Sequence, residues 1–185
     1  MIIGISGKSG SGKSTLSRKL TEIYDNSIVI NVDEVGHEVL TLPEVMESIR
    51  DTFGEEITKD GYVDRKALGD IVFKCRHEMD KLTEITWKGM QIIIDKILED
   101  NKDKIIIMDW LLLPHTKYFN MCDMKILVDV PFEVRMERAI KRDNITEEKF
   151  RLRDSASIEL NREDFDIVVE DVVNEDIRKL VHIYE

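Results

Sequence analysis

One stretch near the start of the chain limits what the rest can be. Gly7-Lys8-Ser9-Gly10-Ser11-Gly12-Lys13-Ser14 fits the pattern G-x-x-x-x-G-K-[ST]. Ile2, Ile3 and Ile5 precede it as a short apolar run broken only by Gly4, and Leu16, Leu20 and Ile23 follow at helical spacing. Strand, loop and helix in that order are what a P-loop requires. Each residue type has a physical task. The glycines let the backbone fold back so that successive N–H groups converge on one spot, where phosphate oxygens can sit. The helix opening near Lys13 adds its positive end to the same spot. Lys8, Ser9, Gly10, Ser11, Gly12, Lys13, Ser14 and Thr15 form the expected nucleotide cradle. Lys13 reaches the β- and γ-phosphates, and the Ser14 hydroxyl ligates Mg²⁺. The cofactors expected are therefore ATP and Mg²⁺.

The remaining sequence alternates strand and helix. Short apolar runs at Ile28–Ile30, Lys104–Asp109, Met124–Val130 and Ile167–Val169 join the first run as five strands. Helical patterns lie at Glu44–Phe53 behind Pro43, at Asp64–Phe73 with Asp64 as N-cap, and from Arg76 to about Glu99. Further helices are expected at Pro131–Lys141, after a cap at Thr146, and after a cap at Asn174. Five strands with helical crossovers give an α/β fold: a P-loop three-layer sandwich around a five-stranded parallel sheet. No strand is expected from about 43 to 101. That stretch is read as a helical acceptor insertion, and about 142 to 155 as a lid. The whole, 1–185, is read as one P-loop kinase domain.

Composition excludes several classes. With 185 residues and a net charge of −11, the chain does not suit a protein that grips nucleic acid through its phosphates. No stretch approaches the length of apolar residues that spans a membrane. Cys75 and Cys122 have no metal-type spacing, and the sequence enters a strand at once with no room for a signal peptide. The expectation is a cytoplasmic protein with reduced thiols. Its partner is a small-molecule substrate, and it is a monomer or weak homo-oligomer. His37, His77, His115 and His182 show no ligand spacing, and Trp87 and Trp110 suit either a core or an acceptor pocket.

Three further groups of residues suit phosphoryl transfer. Ile105-Ile106-Ile107-Met108-Asp109 has the form of a Walker B strand, with Asp109 placed to hold Mg²⁺. Asp33 follows the second strand directly, where open α/β sheets face their ligands. It can take the proton of an attacking hydroxyl or cap the next helix. Arg138 and Arg142 stand four apart and share a helix face, suited to neutralising charge on a transferring phosphoryl group. Arg135 is read instead as part of a solvated face beside Glu133 and Glu137. A GTPase is set aside. Asn101-Lys102-Asp103-Lys104 has lysine where guanine recognition needs aspartate, and no D-x-x-G follows Asp109.

These residues together resemble the dephospho-coenzyme A kinase family over almost the whole chain. The likeness runs through the opening P-loop, Asp33-Glu34-Val35-Gly36-His37-Glu38-Val39, Asp60-Gly61-Tyr62-Val63-Asp64-Arg65, Val128-Asp129-Val130-Pro131, and Arg138 with Arg142-Asp143. The resemblance implies MgATP-dependent phosphorylation of the ribose 3′-hydroxyl of dephospho-CoA. It implies Asp33 as base, Arg138 and Arg142 as lid arginines, and Asp33, Arg65 and Leu112 in the acceptor site. The chain departs from the family's pattern at Asn31, Trp87-Lys88, Leu111-Leu112-Leu113-Pro114-His115 and Ser155. These departures keep open a nucleoside or nucleotide kinase of the same fold, or a silent nucleotide-binding paralogue.

Overall fold

The structure is a computed structural model that describes residues 1–59, 61–72 and 75–181. The side chains of Asp33 and Arg76 lie outside the description, as do Asp60, Phe73 and His182 from the sequence reading. The described residues divide into two compact units, 1–31 with 101–181, and those between 32 and 100.

The first unit is built on one parallel sheet. Its strands are β1 (Ile2–Ser6), β2 (Ser27–Asn31), β5 (Ile105–Asp109), β6 (Met124–Val128) and β7 (Ile167–Val169), in the spatial order β2-β5-β1-β6-β7. All neighbours are parallel. The five apolar runs are thus the five strands. Their lack of polar alternation has a simple cause, since a parallel sheet is covered on both faces. Ile3, Ile5, Ile107, Ile126 and Val128 are all buried in one cluster with Leu16 and Leu20 of α1 (Lys13–Ile23). The central β1 has β5 on one side and β6 on the other. The register aligns Ile5 with Asp109 and with Ile126, so the loop leaving β1 opens beside the carboxyl end of β5.

Helices α6 (Phe132–Asp143), α7 (Glu147–Ser155) and α8 (Ile177–Val181) complete this unit. The Thr146 hydroxyl accepts from Lys149 N at 3.3 Å, which makes it the cap that the sequence suggested. Asn174 is not a cap. It sits in a turn closed by Asp171, whose carboxylate accepts from Val173 N, Asn174 N and Asn174 Nδ2 at 3.0, 3.2 and 2.6 Å. The last helix begins later, and Asp176 takes the Lys179 N–H at 3.4 Å. An Asp-x-x-Asn turn competes with helix start signals for the same backbone donors.

The second unit holds α2 (Val32–Glu38), α3 (Pro43–Phe53), α4 (Arg65–Val72) and α5 (Arg76–Asp100). It starts at Val32, ahead of the stretch that opens at Pro43, because Val32, Val35 and Val39 are all buried. Gly89 of α5 lies so close to Val39, Val45 and Leu42 that a side chain there would run into them. Asp64 Oδ1 accepts from Lys66 N and Ala67 N, each at 3.0 Å, and caps α4 as expected. The expectation of no strand here is corrected. β3 (Thr58–Lys59) and β4 (Tyr62–Val63) pair as a short antiparallel hairpin, turned at Gly61 with φ of 82°. An aspartate-glycine step between β-formers is a hairpin signal in its own right.

Candidate active site

The P-loop owes its shape to φ values that L side chains avoid. Gly10 has φ of 78° and Gly12 has φ of 104°. Gly12 is also the residue from which α1 departs, and its carbonyl accepts from Thr15 N and Leu16 N at 3.0 Å each. Ser11 N donates to Lys8 O at 3.1 Å and closes the loop on itself. The Ser11 side chain is fully buried, and its Oγ has no hydrogen-bond partner within the protein. A glycine-shaped loop leading into a helix N-terminus that no side chain caps fits a phosphate chain, which the first N–H groups of α1 can hold. Lys13, half-buried, and Ser14 open α1 directly after it.

Asp109 ends β5 and is 8% exposed. Its Oδ2 accepts from Ser14 Oγ at 3.1 Å and from Ser17 Oγ at 3.3 Å. The candidate Mg²⁺ residues Ser14 and Asp109 are therefore neighbours. Carboxylate and hydroxyl oxygens are hard donors of the kind Mg²⁺ takes, usually one or two from protein with phosphate and water completing the octahedron. Among the described residues no group of three or more His, Cys, Asp or Glu could hold a metal by itself. Ser17 was missed in the sequence. It stands one turn beyond Ser14 on the same helix face, and that spacing was the available signal.

The arginines of α6 take different places. Arg138 Nη1 donates to Ser11 O at 3.2 Å, on the P-loop itself. Arg142 is exposed and pairs with Asp143, Nε to Oδ1 at 2.7 Å. Arg135, read as solvated, is buried at 7% exposure. It pairs with Asp154 of α7 at 2.6 Å rather than with glutamates of its own helix. Three aspartates here ionise more readily than usual. The Arg135 guanidinium beside Asp154 holds that carboxyl below the ordinary range, and Lys8 adds to this. Hydrogen bonds from Asn174 do the same for Asp171, with Arg138 contributing. Arg142 does it for Asp143.

Other expected residues lie elsewhere. Leu112 is 43% exposed in the turn after β5. That turn is tied to β1 by Ser6 Oγ, which donates to Leu111 O at 2.8 Å. Arg65, in the second unit, donates through Nη2 to His37 Nε2 at 2.6 Å. Trp110 is buried, while Trp87 is half-buried.

Residues 1–180 match the family described as dephospho-CoA kinase. The chain belongs to the dephospho-CoA kinase family. Its relatives in that family include the dephospho-CoA kinase of Fusobacterium nucleatum, 34% identical over 98% of this chain and 95% of that one. The dephospho-CoA kinase of Aquifex aeolicus is 36% identical over 82% and 77%. Among solved structures, one from Thermus thermophilus superposes with a TM-score of 0.79 at 24% identity, covering 97% of this chain and 92% of that one. The Campylobacter jejuni dephospho-CoA kinase gives 0.62 at 20% identity, covering 100% and 97%. Both share the fold. As a dephospho-CoA kinase family member the chain is a kinase phosphotransferase. Among the described residues no helix is long and apolar enough to cross a membrane.

Proposed function

We propose that the chain transfers the γ-phosphoryl group of ATP to the ribose 3′-hydroxyl of dephospho-CoA, giving CoA and ADP. The observation that carries this reading is the contact of Ser14 with Asp109 at 3.1 Å beside a glycine-shaped P-loop, in a chain matched to the family over residues 1–180. The P-loop N–H groups and Lys13 hold the triphosphate. Ser14 and Asp109 would hold Mg²⁺, which would supply charge neutralisation at the phosphates. Asp33, the second residue of α2, orients or deprotonates the acceptor hydroxyl. Arg138 and Arg142 neutralise charge as it develops on the transferring group, with α7 and the turn before it acting as the lid. Arg65 and Leu112 contact the acceptor. The two free cysteines suit a reducing compartment, and we place the enzyme in the cytoplasm.

The test is ADP release from MgATP with dephospho-CoA, beside a panel of nucleosides and nucleotides. Saturable turnover with dephospho-CoA that falls away in Asp33→Asn is the expected result. Turnover with another acceptor alone moves the substrate and keeps the kinase. ATP binding without turnover on any acceptor overturns the catalytic reading.

A further inference from the structure

Arg135 joins four pieces of the first unit. Its Nε donates to Val130 O at 3.0 Å, beyond the end of β6. Its Nη1 donates to Ser9 O of the P-loop at 3.4 Å. The same fork holds Asp154 of α7, Nη1 to Oδ1 at 2.6 Å and Nη2 to Oδ2 at 3.4 Å. The guanidinium carbon lies 5.7 Å from the Phe132 ring and 6.0 Å from the Phe150 ring, so aromatic faces from α6 and α7 flank the charge. The backbone of Arg135 is involved as well. A Cβ at Gly10 would collide with the Arg135 carbonyl oxygen, so helix α6 and the P-loop touch main chain to main chain.

One turn along α6, Arg138 takes Ser11 O at 3.2 Å. Two guanidinium groups thus hold two alternate carbonyls of the same loop. In a trans peptide the carbonyl and the following N–H point in opposite directions. Holding Ser9 O toward α6 turns the Gly10 N–H away from α6, and holding Ser11 O does the same for the Gly12 N–H. Those are donors of the kind that a phosphate-binding loop must present. A planar fork with several fixed donors can serve a backbone carbonyl and a carboxylate together, which an ammonium group cannot do in the same geometry.

We propose that Arg135 is a positioning residue for nucleotide binding: it fixes the Ser9–Gly10 peptide with its N–H toward the phosphates, and its pairing with Asp154 makes that setting depend on the place of α7. This rests on the phosphoryl-transfer reading above. Arg135 itself touches no reacting atom. It acts through the loop.

The experiment measures MgATP binding by calorimetry, and KM and kcat for both substrates, on the intact chain. Arg135→Met keeps the apolar stem between Phe132 and Phe150 and removes every donor. It is expected to weaken MgATP binding at least about tenfold, the scale of one lost charge-assisted hydrogen bond, while the acceptor KM stays within about twofold. Asp154→Asn shifts MgATP binding in the same direction by less. The double variant is no worse than Arg135→Met, because both substitutions act through one contact. Arg135→Lys falls between wild type and Arg135→Met. A folded Arg135→Met with MgATP affinity within about twofold of wild type overturns the proposal. So does a parallel loss for both substrates with a lowered Tm, which marks a purely structural role. If Arg135→Met does not fold, Asp154→Asn decides, and an unchanged MgATP affinity there overturns the coupling to α7. A wild-type protein that binds no MgATP overturns the kinase reading itself.

Discussion

Ser14 Oγ stands 3.1 Å from Asp109 Oδ2, so the first turn of α1 and the end of β5 are joined by a side-chain hydrogen bond. Ser17 reaches the same oxygen at 3.3 Å. A carboxylate this enclosed keeps a fixed orientation, and the Ser14 and Ser17 hydroxyls upon it are neutral groups that can turn toward a cation. Asp109→Asn keeps the shape and removes the charge. The Mg²⁺ concentration for half-maximal turnover is expected to rise about tenfold or more, with Ser17→Ala giving a smaller rise through loss of orientation. A magnesium titration at saturating ATP checks this. An unchanged requirement in Asp109→Asn would remove that residue from the metal site.

Lys13 and Asp33 are assigned different steps, and their variants should differ in kind. Lys13→Ala removes a cation from the phosphate site and is expected to lower kcat at least about a hundredfold and weaken ATP binding as well. Asp33→Asn is expected to lower kcat on the order of a hundredfold or more with ATP binding little changed, as loss of a general base does. Nucleotide binding and ADP release measured on the same preparations separate the two. Near-normal turnover in either variant would take that residue out of the mechanism.

Arg138 and Arg142 share a face of α6 yet meet different partners, Ser11 O for the first and Asp143 for the second. Arg138→Met should therefore disturb the P-loop and raise the ATP KM along with a loss in kcat on the order of a hundredfold. Arg142, 63% exposed at its side chain, can serve only after leaving Asp143 as the lid closes. Arg142→Met should lower kcat with the ATP KM nearly unchanged. Steady-state kinetics with ATP varied would show the contrast, and identical profiles for the two variants would argue against separate roles.

The sheet was legible in the sequence because parallel strands covered on both faces leave unbroken apolar runs, as in Ile105-Ile106-Ile107. The nucleotide side was legible because the P-loop is local, its chemistry packed into residues 7 to 15. The β3–β4 hairpin escaped because two-residue strands carry almost no periodic signal. Arg135 escaped for another reason. An arginine set between Glu133 and Glu137 on an amphipathic helix looks solvated unless its distant partners, Ser9 and Asp154, are known, and no local pattern announces them. Ser17 lay within reach of helix spacing, but its acceptor on β5 comes from tertiary packing alone.

The two thiols should differ sharply in reactivity. Burial pushes the Cys122 thiol up to about 12, and its Sγ donates to Tyr118 O at 3.3 Å. Cys75 is exposed. The thiolate is the reactive form, and near pH 8 a group of that pKa is ionised in only about one molecule in ten thousand. A disulfide reagent should therefore titrate one fast equivalent in the native protein, lost in Cys75→Ser, and a second only after denaturation. Two fast equivalents would contradict the enclosure of Cys122.

The ion pair of Arg135 with Asp154 also fixes the direction of a pH effect. Arg135 holds the folded-state pKa of Asp154 below its unfolded value of about 3.9. The folded state then binds this proton less readily than the unfolded state does. The resulting stabilisation is complete above the unfolded value and disappears as pH falls through the lower folded value. Asp154→Asn cannot ionise and lacks this contribution at every pH. Its Tm should fall below that of wild type by roughly 2–4 °C near neutrality, the shift that about 1 kcal/mol produces in a chain of this size. The gap should narrow as the buffer is taken from about pH 5 to about pH 3, because wild type loses the contribution and the variant has none to lose. Calorimetric scans of both proteins across that range test the sign directly. A gap that stays constant or widens toward acid would mean that the charge on Asp154 is not what holds α7 to Arg135.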